Sequence, residues 1–96
     1  MTSPAFDAAR PYRLNPSVAL RPEPFGALAY HFGNRRLSFL KAPELVELVQ
    51  ELGRHPSVGV ALAGVPDARR GAFLRALASL AAADMIIPQR SGTGAR

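Results

Sequence analysis

The stretch Ala27-Leu-Ala-Tyr-His-Phe32, Gly33-Asn34, Arg35-Arg-Leu-Ser-Phe-Leu40 limits the fold more than any other part of the chain. Two strand-like runs separated by a Gly-Asn pair read as a hairpin with a two-residue turn, since both turn residues tolerate the positive φ that primed turns require. That turn sets a register with Phe32 opposite Arg35, Tyr30 opposite Leu37 and Leu28 opposite Phe39. Paired residues share a face of the sheet. Leu28, Tyr30, Phe32, Leu37 and Phe39 therefore form one large apolar face, and Ala27, Ala29, His31, Arg36 and Ser38 a smaller, more polar one. One face is core and the other wet. The large apolar face is the expected core, with His31 a sheet-surface residue.

Around this hairpin the other elements fall into place. Residues 1–16 carry Pro4, Pro11 and Pro16 without periodicity and read as an N-terminal arm with little regular structure. Ser17–Arg21 is a strand-length apolar run, closed by Pro22-Glu-Pro24, which is expected to end the ladder. From Pro43 the period changes to 3.6. Pro43 suits the first helical position, Glu44 and Glu47 the positive end of the dipole, and Leu45, Leu48, Val49 and Leu52 the buried stripe, with Gly53 as the stop. A second, shorter helix starts at Ser57 as N-cap, with Val58, Ala61, Leu62 and Val65 inward, and ends at Pro66. A third begins with Asp67 as N-cap and runs to about Ala83, with Phe73, Leu74, Leu77, Leu80 and Ala81 as its core stripe. Met85-Ile-Ile87 is a final strand or an extended tuck, and the tail 88–96 is expected to be disordered. The order is strand, hairpin, three helices. That is an α+β, winged-helix-like domain over 17–87, an N-terminal three-stranded antiparallel sheet followed by a three-helix bundle.

Ninety-six residues make one domain, and 48% hydrophobic against 20% charged residues is a globular balance. The absence of cysteine excludes disulfides and thiolate metal sites and fits a reducing, cytoplasmic setting. The N-terminus has no apolar h-region, and the longest apolar stretch, near Leu77–Ala83, is too short to span a bilayer. A soluble protein without a membrane partner is expected. The net charge of +5 points to an electronegative partner, yet the twelve Lys and Arg residues are scattered, with only Arg35–Arg36 and Arg69–Arg70 adjacent.

Chemistry is missing from the pattern. His31 and His55 are the only histidines and lie on different elements. Glu44, Glu47 and Glu51, at i, i+3 and i+7, read as a solvated helix face. There is no Gly-x-Ser-x-Gly, phosphate-binding loop or dinucleotide fingerprint. No catalytic residue, metal ligand or cofactor is assigned, and the chain is not expected to be an enzyme.

A binding role has more support. In a three-stranded meander Arg35–Leu40 lies at an edge, where an extended peptide can add as a further strand, unless Arg35, Arg36 and Lys41 blunt it. On the third helix Ala72, Ala76, Ser79 and Ala83 make a stripe of small residues beside the core stripe, so a backbone can approach, with Arg69 at the groove's mouth to meet acidic side chains. The rival is a winged-helix nucleic-acid-binding protein, favoured by the pI of 11.1. Against it, Arg69, Arg70 and Arg75 do not share one helix face, and the hairpin precedes the helices.

The segment RPEPFGALAYHFGNRRLSFLK (21–41), with PELVELVQEL and FLRALASLAAADMI, resembles the mycofactocin biosynthesis chaperone family (MftB), a branch of the PqqD-like recognition elements for ribosomally made, modified peptides, over about residues 12–87. The resemblance implies a non-catalytic peptide chaperone. It would bind the leader of a short precursor peptide and present it to a radical SAM maturase, which decarboxylates and crosslinks the precursor's C-terminal Val-Tyr. In related elements the leader adds beside the third strand and against the third helix, which carries onto Arg35–Leu40 and Asp67–Ala83 here. The backbone of Arg36, Leu37, Ser38, Phe39 and Leu40 is then expected to supply the ladder. Phe73, Ala76, Leu77 and Leu80 are expected to line the pocket, flanked by Ala72 and Arg69. The chain would be a monomer or a dimer paired through the same edge.

Overall fold

The computed structural model describes residues 6–89. The chain is α+β. Strand β1 (Tyr12–Leu14) pairs antiparallel with β5 (Ile86–Pro88), while β2 (Val18–Glu23), β3 (Gly26–His31) and β4 (Leu37–Leu40) form a separate antiparallel sheet in the order β2-β3-β4. Helices α1 (Pro43–Glu51), α2 (Val58–Ala61) and α3 (Asp67–Ala82) follow, with 3-10 turns at Leu52–Arg54 and Leu62–Gly64. No helix among the described residues is long and apolar enough to cross a membrane.

The hairpin register matches the expected one where Tyr30 pairs with Leu37 and Leu28 with Phe39. Its facing is the reverse of that expected. Ala27, Ala29, His31 and Leu40 are buried against the helices, whereas Phe32, Leu37 and Phe39 stand 62%, 58% and 61% exposed. The small face is the core face because alanine lets α1 and α3 pack close, and their Leu45, Val49, Phe73, Leu77 and Leu80 supply the bulk that the strands omit.

The turn is also different. Neither Gly33 nor Asn34 takes positive φ; Arg35 does, at 63°. Its N–H donates to the His31 carbonyl (2.8 Å), and the His31 N–H donates to the carbonyl of Arg36 (3.0 Å), which makes a bulge after a short loop rather than a two-residue primed turn. The expected Phe32–Arg35 pair does not form, and the Phe32 N–H donates to Ser17 instead (2.8 Å).

His31 explains the loop. It is 5% exposed, not a surface residue. Its Nδ1 accepts from the backbone N–H of Gly33 (2.9 Å) and Asn34 (3.1 Å), so the ring proton sits on Nε2 and faces the Asp84 carboxylate at 3.2 Å. Asn15 donates to the Asp84 carbonyl (2.9 Å), and Asn34 donates to the carbonyl of Ala83 (3.1 Å). Asp84 itself closes α3. At φ 63° it occupies the left-handed position, with its N–H donating to Ala81 and the next, Met85, donating to Leu80 (2.8 Å). Glycine is usual there; the carboxylate that aspartate brings is what holds His31.

Two expectations about prolines and the N-terminus are corrected. Strand β2 continues through Pro22, which pairs with Ala27. The Phe32–Ser17 bond sets the alternation, so the Pro22 nitrogen points away from β3 on an edge strand, where a missing N–H leaves no ladder bond unmade. The segment read as an arm with little regular structure instead contains β1 and buries Tyr12, and the carbonyls of Ala8 and Arg10 accept from Gly59 and Val58. At the other end Pro88 completes β5 and the Gln89 N–H donates to Pro11; the rest of the expected tail lies outside the described residues.

The helices follow the sequence closely. Pro43 opens α1, and the hydroxyl of Ser57 accepts from the Val60 N–H (3.1 Å) as the α2 cap. Helix α3 starts one residue earlier than expected, with Pro66 at the N-cap and Asp67 inside, bridging Arg70 at 2.8 Å instead of capping.

Two substitutions probe these constraints. Gly26 has φ 148°, and a Cβ there would collide with the Leu40 carbonyl, so Gly26→Ala is expected to cost more than ~2 kcal/mol in denaturant unfolding. His31→Phe keeps the ring and strands the Gly33 and Asn34 N–H groups; a loss of about 2 kcal/mol or more is expected, seen as a fall in Tm of roughly 8 °C or more.

Candidate functional site

Strand β4 is the free edge of the sheet. Because the His31–Arg36 bond fixes the alternation, Ser38 and Leu40 direct their main-chain N–H and C=O to Ala29 and Ala27 of β3. Leu37 and Phe39 direct theirs outward. Among the described residues no other segment pairs with this edge: β1, the one strand from the N-terminal segment, pairs with β5.

Beside the edge runs α3. Ser38, Phe39, Leu40 and Lys41 on one side and Ala76, Ser79 and Leu80 on the other enclose a groove of about 270 Å³. The small side chains at Ala76 and Ser79 keep it open, and Leu80 contributes an apolar floor. The groove's upper end is fixed by Asn34, whose amide ties the hairpin tip to the last turn of α3.

Of the residues singled out from the sequence, Ser38, Phe39, Leu40, Ala76 and Leu80 meet in this groove. Leu37 adds outward main-chain groups and an exposed side chain on the far face. Arg36 sits in the loop before β4 and is exposed. Ala72 is exposed one turn before Ala76, outside the groove lining. Phe73 and Leu77 are buried in the core cluster, Leu77 completely. Arg69 lies 5.2 Å over the Phe73 ring and 3.5 Å from the Glu44 carboxylate, so it bridges α3 to α1. The backbone N–H at the start of α1, and then the Arg69 guanidinium, hold the Glu44 carboxyl below its ordinary value. Lys41 was read from the sequence only as a charge that blunts the edge; it lines the groove, a placement that follows from its position next to Leu40.

Among the described residues no group of three or more His, Asp or Glu converges as a metal site would require. The residues around the groove offer main-chain hydrogen bonds, apolar contact and one ammonium group. Groups of that kind are the ones that strand addition of an extended chain uses.

The model of the Peptide chaperone MftB family matches residues 11–87. The chain belongs to that family. It is 49% identical to the Peptide chaperone MftB of Mycobacterium ulcerans (strain Agy99) over 89 residues, which is 91% of this chain and 82% of the relative. The Peptide chaperone MftB of Mycobacterium tuberculosis (strain ATCC 25618 / H37Rv) is 47% identical over 93% of this chain and 84% of its own. That of Mycolicibacterium smegmatis is 49% identical over 86% and 83%. No solved structure matches significantly. The MftB family match covers β1 and reaches Ile87 of β5 as well as the hairpin.

Complete burial makes Leu77 a core residue. Leu77→Ala is expected to cost about 2–5 kcal/mol. Urea unfolding followed by circular dichroism measures it.

Proposed function

We propose that this chain is a non-catalytic peptide chaperone that takes the leader of the mycofactocin precursor as an added strand beside β4. It would present that peptide to a radical SAM maturase in the cytoplasm. The observation that carries the reading is the pair of outward main-chain groups at Leu37 and Phe39, standing beside a groove floored by α3 in a member of a peptide-chaperone family. Family membership supports a peptide as the guest. The leader and the maturase are the specific form this reading gives to it. A three-stranded meander leading into three helices supports a winged-helix-like, PqqD-like arrangement.

Strand addition supplies affinity through the ladder and specificity through the pockets that alternate side chains meet. Peptide residues opposite Ser38 and Leu40 point into the groove between Ala76, Ser79 and Leu80. The maturase can then act on the far end of the peptide while its leader stays on the sheet.

Leu37→Pro removes one outward N–H without costing a β3 bond, so the fold is expected to survive. With a synthetic leader in calorimetry, Leu37→Pro is expected to raise Kd at least about tenfold, the worth of one charge-free ladder bond plus lost register. Ala76→Phe, which fills the groove, is expected to do the same. Unchanged affinity in both variants, with native circular dichroism, overturns the proposal. A concentration-dependent dimer that the leader fails to disrupt would instead mean that the edge serves a second copy.

A further inference from the structure

We infer that the bound peptide is read on both faces of the sheet, with a second subsite on the outward side built by Phe25, Leu37, Phe39 and Lys41. This subsite takes two large apolar side chains spaced two residues apart, with a carboxylate on the residue next to the one opposite Phe39. The inference rests on the strand-addition reading above and extends it to the sequence of the guest.

A strand laid against β4 must alternate. Its residues opposite Ser38 and Leu40 enter the α3 groove, and those opposite Leu37 and Phe39 emerge on the other side of the sheet, because paired residues share a face. That side is not a solvated polar surface. Phe25, Leu37 and Phe39 stand there 42%, 58% and 61% exposed, a concentration of large apolar side chains directly along the open edge. Isolated exposed hydrophobics are ordinary, but a contiguous group marks a binding surface.

The group is also shaped. Phe25 meets Phe39 edge to face, with ring centroids 5.8 Å apart and planes at 88°, and together with Lys41 they bound a cavity of about 370 Å³. An edge-to-face pair leaves ring surface free for a third apolar or aromatic side chain. Leu37 lies two residues along the strand on the same face, which fixes the spacing of a second apolar position. Gly26, next to Phe25, leaves room for the Leu40 carbonyl where a Cβ would collide with it, so the β2–β3 turn lies close to the end of β4.

Charge sets the third requirement. Lys41 borders both the outward cavity and the α3 groove and joins no ion pair among the described residues. A peptide residue adjacent to the one opposite Phe39 turns toward the groove side, where a carboxylate can reach the Lys41 ammonium. Continuity with the edge favours the peptide as occupant of this surface over a separate partner: the surface begins where an added strand would lie.

The test uses the full chain and a fluorescein-labelled synthetic leader of the mycofactocin precursor. The double variant Phe25→Ser/Phe39→Ser, changed only at exposed positions, is expected to weaken binding at least tenfold in anisotropy titrations while circular dichroism stays native. p-Benzoylphenylalanine placed at Phe25 is expected to crosslink to one peptide residue, and placed at Ala72, exposed just outside the groove lining, to crosslink to a residue an odd number of positions away. If the double variant binds like wild type while Ala76→Phe loses binding, the outward subsite is wrong and strand addition stands. If both variants bind normally, the two fall together. Should the double variant misfold, the crosslinks decide: labelling from position 72 but none from position 25 overturns the inference.

Discussion

How closely the helices approach the inner side of the sheet governs the rest of this structure. Ala27 and Ala29 present almost nothing beyond a methyl group there, and each is 1% exposed. A close-packed interior needs its volume from somewhere, and here it comes from the leucines, valines and Phe73 of the helices. The consequence appears on the opposite face. With period-two alternation, placing the alanines inside forces Leu28, Tyr30, Leu37 and Phe39 onto the other face, where Leu28 and Tyr30 are half-buried and Leu37 and Phe39 stay exposed. A single packing choice thus generates both a tight core and an apolar exterior along the open edge.

The polar cluster of Asn15, His31 and Asp84 fixes where that edge lies. It joins three distant parts of the chain: the segment after β1, the end of β3 and the cap of α3. Buried polar groups are costly unless every lone pair and proton is used. In His31 they are, with two backbone donors on Nδ1 and a carboxylate on Nε2. This satisfies the hairpin loop from within and, with the Asn34–Ala83 bond, sets the separation between β4 and α3 at one end of the groove. The left-handed backbone of Asp84 is part of the same device, since a glycine there would relax the backbone and leave His31 without its acceptor.

Much of this was legible in the residues. Pro43, Ser57 and the leucine stripe of α1 act locally, through φ restriction, a side-chain cap and 3.6-residue spacing, so the sequence alone specifies them. The pairing of Tyr30 with Leu37 follows from counting across the loop. Which face turns inward is not a local property. Hydrophobicity favours Phe39 and Tyr30 as core, and only the bulk arriving from the helices makes alanine the better fit. The same limit applies to His31, whose acceptor Asp84 is 53 residues away, and to β1, whose three residues become a strand only against β5. Within the site, the edge and the small residues Ala76 and Ser79 could be read in advance. The burial of Leu77 and the engagement of Arg69 with Glu44 depend on how α3 is rotated against α1, which a period of 3.6 leaves open by tens of degrees.

An open strand edge invites any extended chain, including another copy of this one, so selectivity has to come from what surrounds it. Strand β4 is only four residues long, with Arg35 and Arg36 before it and Lys41 after it. In an antiparallel pairing of two copies centred on Ser38, the register that sets outward Leu37 against outward Phe39, Arg35 of one chain would lie near Lys41 of the other at both ends. Like charges placed opposite each other across strands are destabilising, so self-pairing is disfavoured by the same residues that would attract a carboxylate-bearing guest on the proposed reading. A net charge of +5 adds long-range repulsion between copies. The cations therefore need not close the edge. On the strand-addition reading they would sort its visitors, favouring a peptide of opposite charge whose main chain completes the ladder and whose side chains cover the apolar surface on either side.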